Sequence, residues 1–416
     1  MKRFVELGKD ILIILLLCSL LLLAVAAVPT KTIRDNPKLS QLLQPFGPLL
    51  GLPEAELAYV ETALPILDAA QPVVISVQNS TGRSTAIWDF EALDTAFETY
   101  GGLLGQAMDT ADLFTQATES QVRRALTGSS VYFRYSSSLP AGLLASWLGA
   151  GLEADVPDTQ ACLLALENGT AVLYLLGEPH FRAETQVQAE ILEALLAQAR
   201  PDGSQFAFEA GSRLDPMTLL PGGTVTVPAA ATSNPCDSRY VDQLATELGF
   251  NPYGESRFTD DEGVTYFSEA NCALEISASG LITLTADHTN RFLAASGSDQ
   301  ALVETARQLV ELAAGSVCGD GRIYLSGLTH EGERTVCTFD YLMNGVPVVL
   351  DRSAATVTFT GQSLVRLEVQ VLDFSLTGEV LHPLPVAQAA AVLNPGSPLT
   401  LQYRISGNTL TAGWRK

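Results

Sequence analysis

An uncharged stretch near the N-terminus constrains this chain more than any other part of the sequence. From Ile11 to Val28, eighteen consecutive residues carry no charge, and basic residues flank the stretch on both sides. It is longer than the apolar core of an ordinary secretory signal, about 7–15 residues, and approaches the ~20 residues that span the hydrocarbon layer of a membrane. No later stretch is long and apolar enough to cross again, so the sequence predicts a single transmembrane helix.

Two interpretations of this stretch stay open at the level of the sequence. Ala24-Val25-Ala26 fits the small-x-small pattern of a cleavage site, which favours a signal peptide that is removed. Its location favours a retained anchor, because only ten residues precede it and a long polar region follows. We expect an anchor that stays, with the N-terminus in the cytoplasm and the C-terminal ectodomain outside the cell membrane.

The charge balance excludes several kinds of partner and chemistry. The 416 residues include 24 basic and 46 acidic side chains, for a net charge of −22. Such a chain repels nucleic acid and anionic membrane surfaces. After Lys38 the next lysine is Lys416, which excludes Schiff-base, P-loop and Ser-Lys chemistry from the residues between them. A hydrophobic content of 47% indicates folded domains rather than disorder.

The cysteines also leave two interpretations open. Cys18 lies in the uncharged stretch, and none of the other five has the Cys-x-x-Cys spacing that is typical of zinc or redox sites. In an oxidising compartment, two disulfide bridges are candidates, Cys236 with Cys272 and Cys318 with Cys337. Alternatively, all five are small buried hydrophobic residues, as free cysteines often are.

Changes in composition divide the chain into segments. Prolines punctuate the region after the anchor, and a stretch rich in Pro, Gly, Ala and Thr lies near residue 225. Such stretches favour turns and boundaries over regular structure. The predicted segments are the cytoplasmic tail and anchor (1–28), a Pro-rich stalk (29–72), an N-terminal α+β domain (73–215), a linker (216–235) and a C-terminal α+β domain (236–416).

Periodicity predicts an α+β fold of antiparallel meanders packed by helices. Hairpins are indicated at Asn79–Gly82 and at Asn168-Gly169, the second being a strong short-range hairpin signal. Helical spacing extends over residues 90–108, 118–128 and 183–200. The chain closes with a short helix around residue 389 and a final hairpin.

The C-terminal domain contains an internal repeat. A helix and a strand meander within 237–287 are followed by a second helix and meander within 298–371. Glu262-Gly263-Val264 matches Asn344-Gly345-Val346, and with one residue inserted Leu281 matches Leu364. One face of such a meander is apolar and is covered by the amphipathic helix. We expect two similar halves that lie side by side.

The sequence shows no catalytic or metal-binding pattern. The four histidines lie beside turns or strand ends and lack His-Glu-x-x-His spacing: His180, His288, His330 and His382. The acidic cluster Asp260–Glu262 lacks the alternating ligands of a calcium loop and is better explained by a hairpin turn. We therefore expect a non-enzymatic protein with no catalytic, cofactor or metal site. A hydrolase with paired carboxylates stays an alternative.

Three segments resemble a known family. "SSVYFRYSSSLPAGLLASWLG" (129–149) resembles that family's strand, Leu-Pro and short helix, and "GERTVCTFDYLMNGVPVVL" (332–350) is similar to its strand–turn–strand with an "NG-x-PV" core. "LQYRISGNTLTAGW" (401–414) is similar to its closing hairpin. Together with the anchor, these segments resemble the YycH/YycI-type regulators, single-pass proteins of Gram-positive bacteria that restrain an essential cell-wall sensor histidine kinase. "NG-x-PV" is also similar to PepSY-like modules.

The resemblance implies a protein without an active site. It implies that the ectodomain pairs with a related anchored regulator, and that the membrane helix lies against the helices of a sensor histidine kinase in a two-component system. Helix packing in lipid favours small and weakly polar side chains, so the candidate contacts of the transmembrane helix are Cys18, Ser19 and Ala24. Alternatively, these residues only ease a bend or a cleavage site.

A second function stays open, an extracytoplasmic module that binds a small molecule or a wall fragment and has no kinase partner. A cleft lined by convergent Tyr, Arg and acidic side chains favours this function, whereas an exposed apolar patch favours the regulator.

Overall fold

The computed structural model describes residues 66–152, 156–269, 271–287 and 291–415. Within them the protein has a mixed α+β fold that is rich in β-sheet, as the periodicity predicts. Residues 11–28, and with them Cys18, Ser19 and Ala24, lie outside the described residues, as does most of the predicted stalk. Among the helices of the described part of the chain, none has the length and apolar character needed to cross a membrane.

The first sheet is built by residues 74–184. Its seven strands are β1 (Val74–Asn79), β2 (Gly82–Ile87), β3 (Thr115–Gln116), β4 (Ser130–Leu139), β5 (Thr159–Glu167), β6 (Thr170–Leu176) and β7 (Phe181–Glu184). They lie in the order β2-β1-β4-β5-β6-β7-β3, and each neighbouring pair is antiparallel. The helices of this region are α1 (Ile66–Ala69), α2 (Phe90–Asp109), α3 (Glu119–Thr127), α4 (Ala141–Trp147) and α5 (Ala189–Leu196).

Local sequence signals place these elements. Asn168 and Gly169 have φ values of 52° and 82° in the β5–β6 turn, a left-handed geometry that Asn and Gly adopt readily. The Asp89 side chain accepts hydrogen bonds from two backbone N–H groups at the start of α2. Thr118 and Gln121 form a capping box at the start of α3. Both predicted hairpins are confirmed, as are two of the three helices predicted in this region, those over 90–108 and 118–128.

Buried side chains cover both faces of the first sheet. Phe133 and Leu164 belong to one apolar cluster, which includes side chains of α2 and α4. Tyr132 and Leu163, one residue earlier on the same strands, belong to a second cluster that includes α3. Because neighbouring residues of a strand point to opposite faces, the central strands are long apolar runs rather than alternating ones.

The predicted helix over 183–200 is shorter in the structure. There α5 covers Ala189–Leu196, while Ala183 and Glu184, at the start of the predicted helix, belong to β7. Residues 181–184 pair with β6 on one side and with β3 on the other. Strand pairing therefore overrides the helical spacing of this segment, since tertiary contacts outweigh weak local propensity.

The second sheet has thirteen strands. In chain order they are β10 (Val227–Ser233), β11 (Phe258–Thr259), β12 (Thr265–Glu269), β13 (Cys272–Ile276), β14 (Leu281–Ala286), β15 (Gly321–Glu331), β16 (Arg334–Met343), β17 (Val346–Val349), β18 (Ala355–Thr360), β19 (Ser363–Gln370), β20 (Asp373–Leu381), β21 (Leu401–Ser406) and β22 (Thr409–Trp414). Their order is β11-β12-β13-β14-β19-β18-β16-β17-β21-β22-β10-β20, with β15 paired to β16. A separate pair comprises β8 (Gln205–Phe206) and β9 (Leu219–Leu220).

Two amphipathic helices pack on this sheet, α6 (Ser238–Glu247) and α7 (Asp299–Ala314), and a shorter one, α8 (Val386–Val392), follows β20. The hairpins β13–β14 and β18–β19 lie side by side because β14 pairs with β19, with Leu284 opposite Leu367.

One continuous cluster of buried apolar side chains contains residues of both sheets, among them Phe133 and Phe339. All described residues belong to one compact unit, Tyr59–Lys416.

Neither candidate disulfide bridge is formed in the structure, where Cys236, Cys318 and Cys337 are free thiols. Cys318 lies three residues before Gly321, the first residue of β15, which pairs with Met343 at the end of β16. Six residues of extended strand separate Met343 from Cys337 on β16. Because Cys318 lies near the Met343 end of β16, it is roughly 20 Å from Cys337. A disulfide tolerates only about 7 Å between Cα atoms. The structure thus agrees with the second interpretation of these cysteines, that they are small and largely buried side chains.

Candidate functional site

A polar cluster joins the two sheets close to α1. Arg322 on β15 forms a two-pronged ion pair with Asp94 on α2, with Nη1 2.9 Å from Oδ1 and Nη2 2.8 Å from Oδ2. Gln71 accepts hydrogen bonds from Arg322 Nη1 and from the Tyr324 hydroxyl, both at 3.1 Å, and donates one to Asp94. The guanidinium lies 4.0 Å from the centre of the Phe90 ring. These five residues form the junction cluster.

The junction cluster holds its charges in fixed forms. The hydrogen bond from Arg322 lowers the pKa of Asp94, and burial opposes this shift. The same hydrogen bond raises the pKa of Arg322. Burial raises the pKa of Tyr324. At neutral pH the cluster therefore contains a carboxylate, a guanidinium and a neutral phenol, each hydrogen-bonded to another member of the cluster. These groups keep their protonation states, so the cluster is a structural contact and not a proton-transfer site.

A second tie lies beside the junction cluster. Asn344, in the β16–β17 turn, donates a hydrogen bond to the Trp88 carbonyl at 2.7 Å and accepts one from the Phe90 N–H at 3.0 Å. The φ of Asn344 is 51° and that of the following Gly345 is 77°. A Cβ atom at Gly345 would lie 3.1 Å from the Leu93 side chain. The Asn-Gly turn thus serves both the hairpin and the contact between the two sheets.

Further contacts extend this interface. The Trp147 indole N–H donates to Glu304 on α7 at 2.8 Å, and the Ser137 hydroxyl donates to the Leu325 carbonyl at 3.3 Å. The rings of Trp88 and Trp414 meet edge to face with centroids 5.5 Å apart. Because side chains of several separate segments take part, the relative position of the two sheets is strongly specified.

A groove of about 520 Å³ lies on the other side of α2, between this helix and the β1–β2 hairpin. Its walls are mostly small side chains, including Ala86, Ala92 and Ala96, with Tyr100 and two acids, Asp89 and Glu91, also lining it. No arginine lines the groove. It therefore lacks the convergent Tyr, Arg and acidic lining that we expect of a site for a polar ligand.

Apolar side chains are exposed along the end of the second sheet. Leu376 and Val380 of β20 are 48% and 54% exposed, and Leu384, three residues after the strand, is 56% exposed. β20 is the end strand of the sheet and pairs with β10. The first part of its outer edge is covered by the turn at Asp320, which exchanges hydrogen bonds with Phe374 and Leu376. We call residues 376–384 the apolar edge; exposed apolar residues at a sheet edge are a common basis of protein contacts.

The structure separates the residues that the sequence analysis considered for chemistry. His180 lies directly before β7 of the first sheet, His330 lies on β15 of the second sheet, and His288 falls outside the described residues. Asp260 accepts hydrogen bonds from the backbone of Glu262 and Val264, as expected of a hairpin turn. In the described part of the chain, no group of three or more His, Cys, Asp or Glu side chains could hold a metal ion.

The junction cluster is not predicted by any pattern in the sequence. Asp94 and Arg322 are 228 residues apart in the chain, and each has the surroundings of an ordinary surface residue of a helix or strand. Asn344 is recognisable in the sequence only as part of a hairpin turn. No local pattern signals that its side chain reaches Trp88, so only the folded arrangement shows these contacts.

No protein-family model and no curated protein sequence matches this chain. Among solved structures, the dehydratase domain of PpsC from Mycobacterium tuberculosis, in complex with C12:1-CoA, aligns over 65% of this chain and all of that one. The identity is 11% and the TM-score is 0.13. At this TM-score the alignment does not show a common fold.

Proposed function

We propose that this protein is a non-enzymatic, membrane-anchored regulator of a cell-envelope sensor histidine kinase in a two-component system. It acts outside the cytoplasm through protein–protein contacts of its ectodomain and of its N-terminal helix. The partners are the kinase, a related anchored regulator, or both. Residues 11–28 supply the anchor, with the N-terminus in the cytoplasm and the ectodomain outside.

One observation carries the proposal, the apolar edge. Leu376, Val380 and Leu384 are each about half exposed and lie within nine residues at the end of a large sheet. Leaving three aliphatic side chains in water forgoes hydrophobic stabilisation that a partner surface recovers when it covers them. An exposed apolar patch of this kind favours the regulator over the ligand-binding module.

The junction cluster supports the same proposal. Gln71 lies two residues after α1 and binds Asp94 on α2, a helix that packs on the first sheet, and Arg322 on β15 of the second sheet. The chain that leads from the proposed anchor is thereby tied to both sheets at once. A change in the position of that segment is transmitted to the contact between the sheets, as a regulator that relays a signal requires.

The finer organisation belongs to the proposal as well. We propose that the segments with α6 and α7 are two similar halves, each a helix on a strand meander of PepSY-like appearance. The supporting facts are the side-by-side hairpins joined through β14 and β19, and positive φ values at Gly263 and Gly345 in the matching turns.

Site-specific crosslinking in membranes tests the function. A photoreactive residue replaces Val380 in the full-length chain, and a control variant carries it at Thr360, an exposed position at the end of β18. We expect the Val380 variant to crosslink to a histidine kinase or a related anchored protein, identified by mass spectrometry. Crosslinking to neither, or equal crosslinking from Thr360, contradicts the proposal.

The groove beside α2 favours a second candidate, a binding module for a small ligand or wall fragment. Its volume of about 520 Å³ is within the range of ligand pockets, although most of its wall side chains are small. Replacing Ala96 by Leu narrows the groove. If the groove is the functional site, this variant loses activity in cells while a Leu384→Ser variant keeps it; the proposed regulator shows the reverse.

A further inference from the structure

A pair of stacked aromatic rings is exposed at the opposite end of the second sheet from the apolar edge. Phe258 on β11 lies directly across from Tyr266 on β12. The two rings are nearly parallel, at 11°, with centroids 4.6 Å apart. Phe258 is 59% exposed, and β11 is the end strand of the sheet. Within the described part of the chain, the outward side of the Phe258 ring thus has no strand beyond it.

The hairpin turn holds this pair in place. The Tyr266 hydroxyl donates a hydrogen bond to Asp260 Oδ2 at 3.0 Å, while Asp260 Oδ1 accepts from the backbone N–H groups of Glu262 and Val264. The backbone hydrogen bonds lower the pKa of Asp260, and the bond to Asp260 raises the pKa of Tyr266. At neutral pH a carboxylate therefore fixes the orientation of the ring on which Phe258 stacks.

The surroundings of the pair are acidic. Residues 258–290 contain six acidic residues and neither lysine nor arginine. Asp261 and Glu262, both exposed, lie in the turn that follows β11. The nearest arginine in the sequence, Arg257, points elsewhere: it pairs with Asp242 at 2.8 Å and lies 5.6 Å from the ring of Phe267, on the buried side of β12.

We propose that this corner, formed by Phe258, Tyr266 and the turn Asp260–Glu262, binds an arginine-rich segment of a partner protein. A guanidinium group stacks on an aromatic face and at the same time donates to carboxylates, and the corner offers both groups within one turn. The arrangement is pre-organised, so little side-chain freedom is lost on binding. This inference goes beyond the proposed function, because it requires neither the membrane anchor nor a kinase.

Charge decides between this occupant and others. Nucleic acid and a second copy of this chain, with its net charge of −22, are both repelled by the acidic turn. An uncharged sugar stacks on the aromatic ring but gains nothing from the charges of Asp261 and Glu262. A basic polypeptide is the occupant that uses the ring and the carboxylates together.

Fluorescence anisotropy with defined peptides tests the inference on the full-length chain in a non-ionic detergent. The probe is a labelled peptide of four Arg-Gly repeats, and a peptide of four Glu-Gly repeats is the control. We expect saturable binding of the first and none of the second. Phe258→Ala weakens binding about fivefold, whereas Phe258→Tyr, which keeps the ring, binds like the native chain.

Charge variants provide the matched comparison. A double variant, Asp261→Asn with Glu262→Gln, weakens binding about fivefold at roughly 50 mM salt and less at roughly 200 mM. Glu379→Gln, which removes an exposed acid on β20, leaves binding unchanged. Both sets of substitutions are on the surface, and a native circular dichroism spectrum verifies that each variant is folded.

Three results overturn the inference. The first is the absence of binding to the Arg-Gly peptide. The second is equal weakening by Glu379→Gln, which indicates attraction to the acidic surface as a whole. The third is a loss of binding in Phe258→Ala with no effect of the Asp261 and Glu262 substitutions, which shows that the carboxylates of the turn take no part in binding.

Discussion

Arg322 on β15 of the second sheet and Asp94 on α2, which packs on the first sheet, are joined by two parallel hydrogen bonds of 2.9 and 2.8 Å. Both side chains are more than one-third exposed, so solvent screens much of their charge attraction. The two-pronged geometry and the stacking of the guanidinium on Phe90 add to what remains. The pair therefore matters as a geometric tie between the sheets more than as a strong ion pair.

Removal of this tie is expected to destabilise the fold. Arg322→Ala deletes the ion pair, the stacking on Phe90 and a hydrogen bond to Gln71, and we expect it to lower the free energy of unfolding by about 1–2 kcal/mol. Arg366→Ala is the control, because Arg366 pairs with Glu368 on a single strand; its cost is about 0.5 kcal/mol or less. Urea unfolding followed by tryptophan fluorescence measures both.

A double-mutant cycle separates the pair from its surroundings. Combining Arg322→Ala with Asp94→Asn is expected to cost less than the sum of the single changes, because either substitution alone already removes the pair. Strict additivity of the two changes contradicts the role that the structure assigns to this contact.

The same pair predicts a pH dependence. Arg322 lowers the pKa of Asp94 in the folded protein below its unfolded value of about 3.9. The stabilisation is therefore fully present above the unfolded pKa and is lost as the pH falls through the folded pKa. The difference in unfolding free energy between the native chain and Asp94→Asn should be constant from about pH 5 to 7 and shrink below about pH 4. A difference that grows in acid contradicts this sign.

The Asn344 turn offers a matched pair of substitutions. Asn344 and Asn168 both precede glycine in hairpin turns and have φ values of 51° and 52°, so a change to glycine relieves the same backbone strain at each. Only Asn344→Gly also removes hydrogen bonds to Trp88 and Phe90. We expect Asn344→Gly to be less stable than Asn168→Gly by about 1–2 kcal/mol in urea unfolding. Equal stabilities would show that the Asn344 side chain contributes nothing across the interface.

Local sequence signals predict much of this fold. Asn-Gly at 168–169 marks a hairpin, and helical spacing marks the helix within 118–128, because each depends on neighbours within a few residues. The start of the predicted helix over 183–200 shows where such signals fail. Helical spacing begins at Ala183, but Ala183 and Glu184 pair with β6 as part of β7, and the local sequence does not encode that contact.

The sites are less predictable than the fold, because they are assembled from distant segments. The junction cluster needs Gln71, Asp94 and Arg322 from three elements, and none has a distinctive neighbourhood. The sequence correctly places Asp260 in a hairpin turn, but the hydrogen bond from Tyr266 and the stacking of Phe258 on that ring depend on strand register. Register follows from the whole sheet and not from the turn alone.

The cysteines should behave as protected thiols. Burial raises the pKa of Cys236 and of Cys318 to about 11, and that of Cys337 to about 12. Because the thiolate is the reactive form, alkylation at about pH 8 should be roughly a hundredfold slower in the folded chain than in urea. Non-reducing peptide mapping should find Cys236 and Cys318 unbridged. A peptide that links either one to another cysteine contradicts the structure.

The last prediction concerns residues 11–28. If they form a retained anchor, the mature chain begins at Met1 and regulation depends on the helix as well as on the ectodomain. A helix packed in lipid beside a kinase biases the arrangement of the kinase's helices, and the tether raises the local concentration of the ectodomain. Replacing Ile11–Val28 by an unrelated spanning helix should therefore weaken control of the kinase, measured with a transcriptional reporter, while the ectodomain keeps its resistance to proteolysis. A mature N-terminus at Ala27, or a freely secreted form with full activity, refutes the anchor.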